Sequence, residues 1–278
     1  MSISGKRPKL IATDLDGTIV VHGDGYDNSQ IRQRTIDAFK AAHDLGIHIY
    51  FVTGRPPRWM AEIRDAFSFG KSICANGAML YDFMKEEVLE EWGLSIENQL
   101  ELARILRLHI PNISFAIEYG DEFHHEIAYV PRWDIGVDIQ PIDKIEAKMI
   151  RPAFKMLARC SDYDMSSDEM LEIAIREAGH LATITHSSPT ESLLEISAIG
   201  VSKGETLAKV AARLGIGAED CVSFGDNPND FSMLEWTSRS WAMGDGHRDG
   251  IKHAKFVAEP HHTDSVARII EELIALPA

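Results

Sequence analysis

The sequence has no run of about 20 apolar residues, so it offers no candidate for a membrane-crossing helix. Its three cysteines, Cys74, Cys160 and Cys221, are scattered and form no CxxC pair. That argues against a disulfide framework or a thiolate zinc site and suits core packing in a reducing compartment. Positive charge is scarce: 28 Lys and Arg stand against 43 Asp and Glu, giving a net charge of −15. Nucleic acid and anionic membrane surfaces reward clustered Lys and Arg, so neither is expected as a partner. An anionic ligand here needs a metal ion or a few well-placed cations. No GxxxxGK[ST] motif is present, hence no P-loop for a nucleotide. The opening MSISGKRPKLIATDLDG is basic, but its apolar stretch is too short for a secretory signal, and a cytoplasmic protein is expected.

What is present is an ordinary globular composition, 45% hydrophobic and 26% charged over 278 residues, enough for one large domain or two smaller ones. At both ends of the chain short β-rich runs alternate with amphipathic helices, which predicts an α/β fold with a parallel sheet. KLIAT, IHIYFVT and DCVSFGD read as buried strands. Ile31, Thr35, Ala38, Ala42 and Leu45 share a helix face, with Asn28 or Ser29 as the expected N-cap and Gly46 as the stop. Asn76-Gly77 reads as a hairpin turn. Between residues 83 and 189 the texture changes. Acidic segments read as helices (EEVLEEWGLSIENQLELARILRLH, SSDEMLEIAIREAG) interleave with strand-like runs. The expected organisation is a Rossmann-like core formed by 1–82 and 190–278, with a second α/β module inserted over 83–189.

Four polar clusters fall at predicted strand ends, where ligands gather in an open parallel sheet. They are Asp14-Leu-Asp16-Gly-Thr, Thr53-Gly54-Arg55, Lys203, and Gly225-Asp226-Asn-Pro-Asn229-Asp230. Lys203 follows Ser202 in the capping-box pattern SKGE, at the first position of a helix, where the helix dipole disfavours a cation. A lysine there makes sense if it reaches an anion beside the helix. Each cluster alone is weak, since a lone DxDG is more often a turn than a site. Together they bring aspartates suited to Mg²⁺, and a lysine, a threonine and backbone N–H groups suited to phosphate.

These clusters, in this order, resemble the haloacid dehalogenase superfamily, and within it the Cof-type phosphatases, whose cap lies between the second and third motifs. ICANGAMLYD and LLEISAIGVSKGETL are similar to stretches usual in that group. The resemblance implies a Mg²⁺-dependent phosphatase acting on a small phosphorylated metabolite. Asp14 would be the nucleophile and Asp16 the acid and base. Mg²⁺ would sit on Asp14, the Asp16 carbonyl and Asp226. Thr53, Gly54, Lys203 and Asn229 would hold the phosphoryl group, with Asp230 supporting Lys203 or a metal-bound water. A phosphomutase or phosphotransferase of the same superfamily is the nearest rival. A phospho-receiver, which also uses Asp, Thr and Lys, is the rival from another class.

In the inserted region Glu118, Tyr119, Arg132 and Arg151 are candidates for lining the substrate pocket. His124-His125 and His261-His262 lack the companion residues of a transition-metal site and are expected to be surface or packing residues. Asn112-Ile-Ser114 matches a glycosylation sequon without a secretory signal beside it.

Overall fold

The computed structural model describes residues 4–23, 25–120, 122–131, 139–160 and 165–278; Arg132 lies outside them. The chain begins with the wholly buried strand β1 (Leu10–Thr13) and a hairpin of β2 (Val20–Gly23) and β3 (Gly25–Ile31). Next come α1 (Gln33–Asp44), β4 (His48–Val52), α2 (Ala61–Ala66), β5 (Lys71–Cys74), β6 (Met79–Asp82) and β7 (Glu87–Glu91). The middle of the chain forms α3 (Ile96–His109), β8 (Ile113–Tyr119), β9 (Glu122–His125), β10 (Lys155–Cys160), α4 (Ser167–Ala178), β11 (Ala182–Thr185) and β12 (Leu193–Ala198). The last third is α5 (Lys203–Arg213), β13 (Cys221–Gly225), α6 (Phe231–Trp236), β14 (Arg239–Met243), α7 (Gly250–His253), β15 (Phe256–Ala258) and α8 (Ser265–Ile274).

Eight strands form one sheet in the order β15-β14-β13-β1-β4-β5-β6-β7, parallel from β15 to β5 and antiparallel over β6 and β7. Strand alternation divides β1 between two cores. Ile11 faces an aromatic cluster of Phe39, Phe51 and Phe67, while Leu10 and Ala12 pack with Leu207, Val210 and Met233. Both faces are therefore covered, which is why these strands read as unbroken apolar runs. The chain leaves β1 toward β4 on one side, and β13 joins on the other. The crevice between the β1 and β13 ends is the switch point of the sheet.

The second sheet is antiparallel throughout, ordered β11-β12-β10-β8-β9, with α3 and α4 packed on one face. Its register sends Phe115, Ile117, Met156 and Ile196 toward those helices and Glu118, Lys155 and Glu195 to the opposite face.

Three expectations shift. The segment Gly25–Ile31 is a strand, so α1 begins at Gln33 after Arg32 rather than behind Asn28 or Ser29; Thr35, Ala38 and Ala42 still form its buried stripe. Residues of EEVLEEW expected as helix form the charged edge strand β7, paired antiparallel with β6. Charges on an edge strand discourage further pairing, which gives the acidic run a role. LLEIS lies in the second sheet, so sheet membership assigns Glu87–Glu91 to the first unit and Leu193–Ala198 to the second, against bounds drawn at 83 and 189. The Asn76-Gly77 hairpin joins β5 to β6 as expected. All three cysteines are free and buried. Among the described residues no helix is long and apolar enough to cross a membrane.

Candidate active site

Asp14 is the first residue beyond β1, tied to β13 by its N–H, which donates to Phe224 O at 2.9 Å. Lys203 opens α5, and Ser202 caps that helix by accepting from the Glu205 N–H at 3.2 Å. The Glu205 carboxylate returns to the Ser202 hydroxyl at 3.4 Å, so the expected capping box is only half formed. Gly77 makes the approach of α5 possible, because a Cβ there would lie 2.3 Å from Ser202 O. Thr206 Oγ1 donates to Gly77 O at 2.8 Å and pins the same contact.

The fully buried Lys203 ammonium donates to Asp14 Oδ1 and to Asp230 Oδ1, each at 2.6 Å. Asp230 uses its other oxygen to accept from the Asp226 and Asn227 N–H groups at 3.0 and 3.2 Å. The anion sought beside the helix N-terminus is thus a pair of carboxylates. Burial disfavours the ammonium, yet Asp14 and Asp230 hold its pKa above the ordinary lysine value.

Asp14, Asp226 and Asp230 present carboxylate oxygens within 4.8 Å of one another, all buried. One lysine does not neutralise three carboxylates. Burial first, then Asp230, push the Asp14 carboxyl up to about 7, and burial and Asp14 push Asp226 upward as well. The Asp14 loop also closes on Asp226: Gly17, at φ +78°, holds its backbone where a Cβ would stand 2.4 Å from Asp226 Oδ2. A dense set of hard oxygen donors with excess negative charge fits a divalent cation such as Mg²⁺.

Thr53 directly follows β4, its N–H donating to Ile73 O at 2.8 Å and its carbonyl accepting from the Asn76 N–H at 3.0 Å. Asn229 Nδ2 donates to Asn76 Oδ1 at 3.1 Å, and a Cβ on Gly54 would lie 3.7 Å from Asn229 Nδ2. Asp14, Asp226, Asp230, Lys203, Thr53, Gly54 and Asn229 therefore meet at the switch point. The Asp16 carboxylate, instead of standing free, is gripped by Arg55, which also pairs with Glu62 at 3.1 Å. The sequence placed Arg55 in the second cluster without a role, and its position directly after Thr53-Gly54 was the available signal.

Of the candidates in the second unit, Glu118 is buried against Arg58 at 2.5 Å on the side facing the site. Tyr119 points the other way, donating to Lys148 O at 2.7 Å, and Arg151 lies over its ring and pairs with Glu122. Sequence reasoning missed Lys155 and Glu195, both buried beside Gly54 and Asn76.

Among the described residues, two histidine clusters lie outside this set. His261 and His262 converge on Asp245 at 2.7 and 3.6 Å. His186 and His247 both turn Nε2 to Asp168, at 2.9 and 3.1 Å. His247 Nδ1 accepts from the Asp249 N–H at 3.2 Å, so the ring proton is on Nε2 and is donated to Asp168. That tautomer makes His247 a strut between the two units, since a metal would need the Nε2 lone pair.

The family model for haloacid dehalogenase-like hydrolases matches residues 11–270. The pyridoxal phosphate phosphatase YbhA of Escherichia coli strain K12 is 26% identical over 94% of this chain and 97% of its own. The 5-amino-6-(5-phospho-D-ribitylamino)uracil phosphatase YcsE of Bacillus subtilis strain 168 is 26% identical over 96% of both chains. In fold, the subclass IIB sugar phosphatase BT4131 superposes with a TM-score of 0.75 at 22% identity, covering 95% of this chain and 98% of that one. SMU.1108c of Streptococcus mutans UA159 superposes at 0.80 and 19% identity, over 96% and 99%. The chain belongs to the haloacid dehalogenase-like hydrolases.

Proposed function

We propose that the protein is a Mg²⁺-dependent phosphatase that hydrolyses a small phosphomonoester through a phosphoryl-Asp14 intermediate. The observation that carries this reading is the buried Lys203 bridge between Asp14 and Asp230, set beside Asp226 and the Thr53-Gly54 loop. Among the described residues, Lys203 occupies Oδ1 of Asp14, and Oδ2 keeps only a 3.4 Å contact from the Thr18 hydroxyl. A carboxylate so held is positioned to attack phosphorus, which splits one difficult displacement into two easier ones.

Asp16 protonates the leaving alcohol as its bond to phosphorus breaks. It then takes a proton from the water that hydrolyses the acyl phosphate, releasing inorganic phosphate and restoring Asp14. The Thr53 hydroxyl and Gly54 N–H hold phosphoryl oxygens, Asn229 contributes its amide, and Lys203 balances charge. Asp14, Asp226 and the Asp16 carbonyl, with Asp230 behind them, would hold Mg²⁺, which when bound would supply further charge neutralisation. The second unit acts as a cap, with Glu118 and Lys155 on its site-facing side. A covered crevice suits a small metabolite and excludes a folded phosphoprotein. The named relatives act on pyridoxal phosphate and a phosphoribityl-uracil compound, both small phosphomonoesters. Three buried free thiols accord with a cytoplasmic setting.

The test is a panel of phosphorylated metabolites assayed for phosphate release with Mg²⁺ and with EDTA. Release without an added acceptor is expected, lost in EDTA and in Asp14→Asn. Turnover in Asp14→Asn, or indifference to Mg²⁺, overturns the reading, and dependence on an acceptor hydroxyl favours a phosphotransferase.

A further inference from the structure

We infer that Lys155 and Glu195, both on the inserted sheet, are positioning residues that set the hydrogen-bond polarity of the phosphoryl-binding groups Thr53 and Asn229. The inference rests on the phosphatase reading for what those groups bind. Lys155, 4% exposed, donates from Nζ to Gly54 O at 2.5 Å and to Glu195 Oε1 at 3.2 Å. Gly54 O belongs to the peptide whose N–H is that of Arg55, and this N–H donates to Thr53 Oγ1 at 3.0 Å. An ammonium on the carbonyl end polarises that peptide and strengthens the donation at its other end. The Thr53 oxygen already accepts one bond, which leaves its proton to be directed outward to a phosphoryl oxygen.

The second branch starts at the other oxygen of the same carboxylate. Glu195 Oε2 accepts from Asn76 Nδ2 at 3.1 Å, and Asn76 Oδ1 accepts from Asn229 Nδ2 at 3.1 Å. A carboxylate can only accept, so it fixes which way both amides face. Lys155 helps maintain that ionised form: burial raises the Glu195 pKa, but Lys155 and Asn76 bring it below the ordinary value. Asn229, 7% exposed, is left with a buried Oδ1 that has no partner among the described residues. The amide is thus turned by the chain itself: one Nδ2 hydrogen goes to Asn76, the other is left for a phosphoryl oxygen, and Oδ1 is held open to a hydroxyl or water that donates to it. An unsatisfied buried acceptor costs free energy, so its persistence points to a ligand or water that donates to it.

Both branches cross from the inserted sheet to the core, linking residue 155 to 54 and residue 195 to 76. Phosphoryl binding therefore depends on the inserted sheet being docked. A phosphate donor set assembled this way is complete only when the crevice is covered, which disfavours attack on a phosphoryl group still open to solvent.

A double-mutant cycle tests this, with isothermal titration of inorganic phosphate at saturating Mg²⁺ as the main readout and kcat/KM beside it. Lys155→Met is expected to weaken phosphate binding about tenfold in the wild-type background, the scale of one lost hydrogen bond. In a Thr53→Val background the further loss should shrink to about twofold or less, because the hydroxyl it acts through is gone. Glu195→Gln should behave likewise against Asn229→Ala. Lys155→Arg, which keeps a donor on Gly54 O, should retain most of the affinity and serves as the substitute if Lys155→Met does not fold. Affinity for Mg²⁺ alone should be unchanged in Lys155→Met, since Lys155 touches none of the three clustered aspartates. Losses that are equal in both backgrounds, that fall on Mg²⁺ and phosphate together, or that are absent overturn the inference. A wild type that binds phosphate but hydrolyses no phosphomonoester defeats the phosphatase reading and leaves the cycle readable.

Discussion

Arg55 holds the Asp16 carboxylate at two points, Nη2 to Oδ1 at 2.5 Å and Nε to Oδ2 at 2.8 Å. The guanidinium is itself braced, with Nη1 on Glu62 at 3.1 Å and 12% of its side chain exposed. A planar fork can hold a carboxylate in one orientation, whereas a lysine ammonium cannot. Arg55→Lys should therefore lower kcat about 10- to 100-fold, the range set by one lost charge-assisted bond of about 1.5–3 kcal/mol. Mg²⁺ affinity should change little. Steady-state kinetics with unchanged kcat would remove Asp16 orientation from the chemistry.

The clustered carboxylates link metal binding to pH. A carboxyl whose folded pKa is raised favours the fold in its protonated form. For Asp14 that contribution is complete below its unfolded value and is lost as pH rises through about 7. Without metal, wild type should lose stability relative to Asp14→Asn as pH rises across this window. Mg²⁺ needs the ionised form, so its stabilising effect should grow with pH over the same interval. Thermal melts in EDTA and in saturating Mg²⁺, taken across a pH series, check this. A Mg²⁺ shift that is largest at low pH would contradict it.

Removing the lysine exposes what it balances. Lys203→Met leaves Asp14 and Asp230 buried with no cation between them, and breaking such a pair costs about 3–5 kcal/mol. The loss should be partly recovered by adding Asp230→Asn to the same chain. Denaturant unfolding in EDTA is the measurement, and a single variant as stable as wild type would show that the bridge contributes little to the fold.

Gly17→Ala addresses the metal without altering any charge. Its Cβ would fall 2.4 Å from Asp226 Oδ2, at a backbone φ of +78° that side chains rarely adopt. Mg²⁺ affinity should drop by at least about tenfold as the carboxylate is displaced, an order of magnitude corresponding to about 1.4 kcal/mol. Calorimetric titration with Mg²⁺ reads it directly. An unchanged affinity would mean that Asp226 does not need its present place.

Much of the site was legible because its parts are local. DxDG, TGR and GDNPND each follow an apolar strand, and Lys203 stands out at a helix position that disfavours it. What could not be read is long-range. Gly25–Ile31 looks polar and loop-like, and only its pairing with Val20–Gly23 makes it a strand. LLEIS has the same apolar texture whichever sheet it joins, so its neighbour β10 decides. Lys155 and Glu195 read as ordinary strand residues until residues 54 and 76 are seen beside them.

Cys74 is the last residue of β5, two positions before Asn76, and burial pushes its thiol up to about 12. A thiol that is wholly buried and pushed toward its protonated form is protected from disulfide and alkylating reagents there. Its modification therefore counts only those molecules in which the hairpin carrying Asn76 has come loose. The chain thus contains its own probe of that opening: labelling at Cys74, resolved from Cys160 and Cys221 by peptide mapping and followed as inorganic phosphate is added, shows how far the ligand holds the crevice together.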